Sequence, residues 1–220
     1  MKKILCIIFI SASTISFAQK KDSLESKTSY LKNEVGFDMV FFLNLFRNQW
    51  EPSNTTELIL NYERWISPEN ALRLTWGAGY YNNRVKQDTL PMLSSKNSNN
   101  IIAIGFKHEQ RLSKKWLFFY GSDLAFEYDF TQSQQGTNSA GVVTTTDKNI
   151  YYGPAPFMGI TFEVNSRVSF STETNVNLFF SSKETKEEND KFPLQNISST
   201  TSGFGLAYLL PQNIFMKIKF

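Results

Sequence analysis

Residues 204–220, FGLAYLLPQNIFMKIKF, decide how the rest of the chain is read. Successive side chains of a β-strand point to opposite faces. Taking every second residue gives Phe204, Leu206, Tyr208, Leu210, Gln212, Ile214, Met216, Ile218 and Phe220, and all but Gln212 are large and apolar. The residues between them are Gly205, Ala207, Leu209, Pro211, Asn213, Phe215, Lys217 and Lys219, a smaller and partly charged set. The apolar parity holds across Pro211 and runs to the final aromatic, which predicts one terminal strand with two unlike faces.

The same period recurs upstream. It predicts strands over about residues 34–45, 56–66, 71–84, 100–110, 116–131, 149–163 and 167–181. In the first of them Val35, Phe37, Met39, Phe41, Leu43 and Leu45 share a face. The 116–131 stretch is the clearest, with Trp116, Phe118, Tyr120, Leu124, Phe126, Tyr128 and Phe130 on one face and Gly121, Asp123, Ala125, Glu127 and Asp129 on the other. A soluble core has no use for so many aromatics in a row, whereas a lipid-facing wall does. Short turns at 67–70, 112–115 and 165–166 alternate with long polar stretches, 85–99, 132–147 and 183–197, that are expected to be loops. Pro154 and Pro156, like Pro211, are expected at a bulge or strand end near a rim, because proline cannot donate to the ladder.

At the other end, Lys2 and Lys3 precede an apolar run over residues 4–10 and a Ser16-Phe17-Ala18 site. That order predicts a signal peptide over 1–18, followed by a polar periplasmic lead over 19–32 and the strand-bearing region over 33–220. The only cysteine, Cys6, falls inside the apolar run, so the exported chain is expected to carry no disulfide. Without Lys2 and Lys3 the chain has 21 basic against 20 acidic residues, a balance that gives no reason to expect a nucleic-acid partner.

The turns 65–69 (WISPE), 111–116 (RLSKKW) and 165–169 (NSRVS), together with terminal Phe220, resemble those of small outer-membrane β-barrel proteins of the Bacteroidetes type, with an OmpA/OmpX-like architecture. The resemblance covers about residues 33–220. It implies an all-β, closed, antiparallel up-and-down transmembrane barrel of eight strands, with ten as the alternative, in the outer membrane of a Gram-negative bacterium. It also implies that Phe220, Ile218 and Met216 form a C-terminal sorting signal read by the barrel-assembly machinery, and that outer-membrane lipid is the surrounding partner. It brings no activity with it.

Sorted by parity, the inward faces carry Glu34, Asp38, Glu57, Glu63, Glu109, Asp123, Glu127, Asp129, Glu163 and Glu173 against Arg73, Lys107, Arg167, Lys217 and Lys219. Charges inside a narrow barrel must pair or stay hydrated. The expectation is therefore a polar lumen network built on Glu34, Asp38, Arg73, Lys107, Asp123, Glu127, Asp129, Arg167 and Glu173. His108 is the only histidine, and parity sets it facing outward near a turn, as an interfacial residue. Trp65, Trp76, Trp116, Tyr80, Tyr120, Tyr128 and Tyr208 are expected in the interfacial girdle. No phosphate loop, metal-spaced cluster or nucleophile motif occurs, so no cofactor, metal or catalytic residue is expected. A structural or surface-contact role through the long loops follows, with a cation-favouring pore and a lipid-modifying enzyme as rivals.

Overall fold

In the computed structural model, residues 33–41, 57–87, 90–137, 141–209 and 213–220 are described. The expected signal peptide and lead, and the positions of Leu43, Leu45, Leu210, Pro211 and Gln212, lie outside them. The described residues form an all-β, antiparallel, up-and-down sheet of nine strands. These are β1 (Asn33–Asp38), β2 (Leu58–Trp65), β3 (Asn70–Gln87), β4 (Leu90–Arg111), β5 (Trp116–Thr137), β6 (Gly141–Glu163), β7 (Val168–Asn189), β8 (Ile197–Leu209) and β9 (Ile214–Lys219).

The pairing is ring-like. Its order runs β6-β5-β4-β3-β2-β1-β9-β7, and β6 pairs with β7 to bring it round. First and last strands meet at reciprocal backbone bonds, Asn33 N–H to the Phe220 carbonyl at 3.1 Å and Phe220 N–H to the Asn33 carbonyl at 2.9 Å. Higher up, β8 replaces β9 beside β7 and has that one partner among the described residues.

The count of nine corrects the expected eight. The terminal stretch is two strands, both antiparallel to β7. Asn175 faces Leu209 in β8, while Thr172 faces Ile214 in β9. The paired numbers sum to 384 above the break and 386 below it, so the register slips by two. An even slip keeps every side chain on its own face. That is why the parity read across Pro211 survives although the strand does not.

Three further expectations are corrected. The long polar stretches are mostly ladder: β4 starts at Leu90, β5 runs to Thr137, β6 starts at Gly141 and β7 runs to Asn189. Threonine-, serine- and asparagine-rich chain has no apolar face to reveal its period, yet its backbone pairs equally well. The first strand stops at Asp38 rather than Leu45, and residues 39–41 are helical. The Asp38 carboxylate accepts the Val40 N–H at 2.9 Å there, a local bond that competes with the ladder. Finally, Pro154 and Pro156 sit in mid-β6 rather than at a rim.

Three short turns share one end with Asn33 and Phe220. Each closes with a bond from an N–H to the carbonyl four residues on: Ile66 to Asn70, Leu112 to Trp116 and Val164 to Val168. Ser113 and Asn165 side chains accept further turn N–H groups.

The two faces of the ring differ sharply. Outward side chains such as Leu72, Leu74, Trp76, Ile102, Ile104, Phe106, Leu124, Phe126, Met158, Ile160, Phe204 and Leu206 are exposed. Inward ones such as Glu34, Glu63, Arg73, Lys107 and Lys217 are buried. Water-soluble proteins are arranged the other way round.

Candidate functional site in the ring interior

Interior side chains fall into three levels, counted from the turn end. The lowest is an ion-pair lattice. Glu63, projecting from β2, accepts Lys107 Nζ at 2.6 Å and Lys217 Nζ at 2.7 Å, one on each carboxylate oxygen. Lys107 also reaches Glu109 at 3.0 Å, and Lys217 reaches Glu34 at 3.3 Å. Lys219 bridges Glu34 at 3.7 Å and Glu163 at 3.1 Å, and Arg111 closes the edge on Glu163 at 2.7 Å. Glu34, Glu63, Glu109 and Glu163 thus face Lys107, Lys217, Lys219 and Arg111, four charges of each sign. Pairing is what lets such charges be buried at all.

Aromatic rings complete this level. Lys107 Nζ lies 4.9 Å from the ring centres of both Trp65 and Phe119, and Lys217 Nζ lies 5.4 Å from that of Phe119. Cations over aromatic faces gain further stabilisation. Trp65 is therefore corrected from girdle to interior. It shares the parity of Glu63, and only its residue type suggested the membrane interface.

The middle level is Arg73. Its two terminal nitrogens donate to the Glu173 oxygens at 2.8 and 2.7 Å, a bidentate fork. Nε donates to the Thr75 hydroxyl at 3.1 Å and lies 3.5 Å from Asp123. The guanidinium rests 4.4 Å over the Phe157 ring, and the Thr75 hydroxyl donates to the Asn61 amide oxygen at 2.7 Å.

Above Arg73 the interior opens. A cavity of about 500 Å³ is lined by Asp38, Val40, Phe41, Glu57, Asn99, Glu127 and others, with Arg73, Asp123 and Glu173 toward its base. Phe41 was expected to face outward; once β1 ends at Asp38, strand parity no longer governs it. Asn99 donates its amide to Glu57 at 2.7 Å and Glu127 at 3.1 Å. Among the described residues, Arg73 is the one basic side chain in the cavity lining.

Of the residues expected in the lumen network, Glu34 and Lys107 join the lower lattice. Arg73, Asp123 and Glu173 form the middle level. Asp38 and Glu127 line the cavity, and Asp129 stands beside Glu127 in a second, smaller cavity. Arg167 does not belong with them. It is exposed in the turn before β7, where its N–H is bound by Asn165 Oδ1 at 2.8 Å. Parity assigned it inward, but parity has no meaning outside a ladder. Phe220 and Ile218 stand exposed on the outer face, and Met216 is half-buried. His108 faces outward, its Nδ1 2.9 Å from Asn70 Oδ1 and its ring 5.1 Å from that of Tyr120. Among the described residues no three potential metal ligands of the His, Cys, Asp and Glu types group together.

The bridging groups Asn61, Thr75 and Asn99 and the aromatic floor Phe119 and Phe157 were not singled out in the sequence. All share inward parity with the charges they serve, which is the signal that marks them.

Beyond the apolar belt the hairpins carry their own polar contacts. Asp147 accepts the Thr185 hydroxyl at 2.6 Å and lies 3.2 Å from Lys183. The Thr185 hydroxyl most, against an opposing effect of burial and with help from Lys183, holds its carboxyl below the usual range. At the β7–β8 tip, Asn189 Oδ1 accepts the Lys191 and Phe192 N–H groups, and Phe192 and Leu194 stand exposed.

No protein-family model matches the chain, and no curated protein matches it. Among solved structures it is similar to the ferric yersiniabactin uptake receptor FyuA from Yersinia pestis, with a TM-score of 0.43 and 10% identity. The match covers 73% of this chain but only 27% of the receptor. A likeness this slight carries no argument, and the fold rests on the strand pairing.

Proposed function

We propose that the ring is a transmembrane β-barrel of the bacterial outer membrane, closed to ions at its turn end, that acts through its projecting hairpins in surface contacts. The observation that carries this reading is the reversed distribution of side chains, apolar around the outside and charged within. An apolar belt of exposed Leu, Ile, Phe and Trp residues has no stable partner in water, whereas lipid supplies one. The turns and both chain ends of the ring face the periplasm, and the long hairpins face out.

Length supports the surface role. A tilted membrane strand needs about 9–11 residues, and β4 to β7 have 22 or 23 each. About half of each ladder therefore stands clear of the membrane, and the β7–β8 tip presents Phe192 and Leu194 for contact. The lower lattice argues against a pore, because its side chains fill the lumen with paired charge.

Trypsin added to intact cells tests the surface role. Cleavage is expected at Lys183, Lys186 or Lys191, leaving the belt undigested. Protection of those lysines in intact cells, with cleavage only after lysis, would overturn it. Discrete ion-current steps through the chain in a planar bilayer would replace the closed barrel with the pore.

A further inference from the structure

One part of the wall is not sealed. Along β5, pairing with β6 is continuous from Trp116 with Phe162 to Thr137 with Gly141. On the other side of β6, pairing with β7 stops at Tyr152 with Phe180 and resumes at Phe157 with Asn175, in the same register. The unpaired segment of β6 is Gly153-Pro154-Ala155-Pro156. Its two prolines have no N–H to give, so restoring the ladder is chemically barred. At its upper edge the strands touch, and a Cβ on Gly153 would collide with the Leu178 carbonyl oxygen.

A second cavity of about 370 Å³ lies at this seam. Its lining mixes the two faces of the wall. Tyr152, Pro154 and Leu178 have outward parity; Glu127, Asp129, Tyr151, Asn177 and Phe179 have inward parity. The pocket is therefore bounded by residues of both faces, at the segment of the wall where the β6–β7 ladder is unpaired. It shares Ala125, Glu127, Ala155 and Asn177 with the large cavity above Arg73. Tyr152 and Phe180 stack at 5.7 Å just above the gap, within the apolar belt.

Resting on the membrane reading, we propose that the β6–β7 seam is a side entrance for an amphiphile with an aliphatic tail and a cationic, ammonium-type head. The tail lies in the apolar outer part of the seam, against Tyr152, Pro154 and Leu178. The head lies inside, near Glu127 and Asp129, with Glu57 beyond in the shared cavity. Among the described residues, the inner end of the path has acids and no base short of Arg73. A carboxylate or phosphate head would meet repulsion there, so charge selects the ligand class.

Chemical-shift titration with dodecylammonium, on the chain folded in a neutral maltoside detergent, tests the proposal. Saturable shifts are expected for the amides of Glu127, Asp129, Gly153, Ala155, Asn177 and Phe179. The Pro154→Thr/Pro156→Thr variant, which restores two donors, should lose them. Glu127→Gln/Asp129→Asn should keep the seam but weaken binding at least about tenfold, equivalent to ~1.4 kcal/mol. Shifts that never saturate and spread around the whole belt would overturn the proposal, as would an equal response to dodecyl sulfate or an unaffected proline variant. Each sample is also run unboiled on a denaturing gel. Loss of the folded band there signals failure of the barrel reading, whereas an intact band without binding signals failure of the side entrance alone.

Discussion

The two halves of the interior are built from the same residue types and behave in opposite ways. Near the turns, every buried carboxylate has a cation within reach: Glu63 holds Lys107 and Lys217, and Glu34 and Glu163 share Lys219. Beyond Arg73, Asp38, Glu57, Glu127 and Asp129 surround open volume, and amide groups such as Asn99 stand where lysines would be. The lower half is closed by paired charges, with Glu34 Oε2 alone left to a long 3.7 Å contact with Lys219 among the described lattice atoms. The upper half leaves its charges available to something else. Arg73 is the boundary, pairing upward with Asp123 and Glu173 and resting on Phe157.

One substitution made in both halves gives the largest contrast. Glu63→Gln leaves two buried ammonium groups without their shared anion, and breaking a buried pair in this way costs about 3–5 kcal/mol. Glu127→Gln removes a charge that, among the described residues, has no cation beside it, and keeps an amide oxygen that can accept the Asn99 N–H, so the loss should stay below about 1.5 kcal/mol, the size of one hydrogen bond. Urea unfolding of the two variants in detergent gives both numbers. Equal losses would erase the distinction between the halves.

Removing the boundary should produce a smaller and different effect. Arg73→Met strands the Glu173 and Asp123 carboxylates, but these open onto the cavity where water can reach them, so the loss should stay near that of an unsatisfied buried group, about 1–3 kcal/mol. Unfolding midpoints measure that loss. The same variant should remain non-conducting in a planar bilayer, because the lower lattice still fills the lumen. Current through Arg73→Met would show that Arg73, and not the lattice, is the seal.

How much of this was legible in the sequence depends on what each feature needed in order to be seen. Alternating large and charged residues expose the period directly, so Trp116 to Phe130 and the faces of β3 and β9 could be read from it. The polar upper ladders could not, because Thr144, Thr145 and Thr146 look alike on both faces while their backbones pair with β5 and β7. The division of the last strand was hidden by an even slip, which preserves parity. Trp65 was misread because residue type was set above parity, and Arg167 because parity was applied to a turn. Pro154 and Pro156 were recognised as ladder breakers. Which neighbour they would break from required the pairing itself.

The smallest expected effect lies outside the ring and is set by pH. Asp147 has its carboxyl held below the ordinary value by Thr185 and Lys183, so ionisation favours the paired hairpin. That contribution is fully present above the unfolded value near about 4 and is lost as pH falls through the lower folded value. Hydrogen exchange at Lys183 to Lys186, corrected for intrinsic rates, should accelerate on acidification from about pH 5 to about pH 2. Asp147→Asn should reduce that pH dependence to the part carried by the neighbouring Glu184–Lys186 pair, 2.9 Å apart. Identical acid loosening in Asp147→Asn would assign the effect to other groups.

The central claim is that a closed ring with an apolar outside is a membrane barrel. The chain refolded in detergent and run on a denaturing gel, with and without boiling, tests it most directly. A folded ring is expected to survive cold dodecyl sulfate and to migrate apart from its boiled form. A single band in both lanes, from protein that stays soluble once detergent is removed, would contradict it and make the outer aromatics a surface buried in some other way.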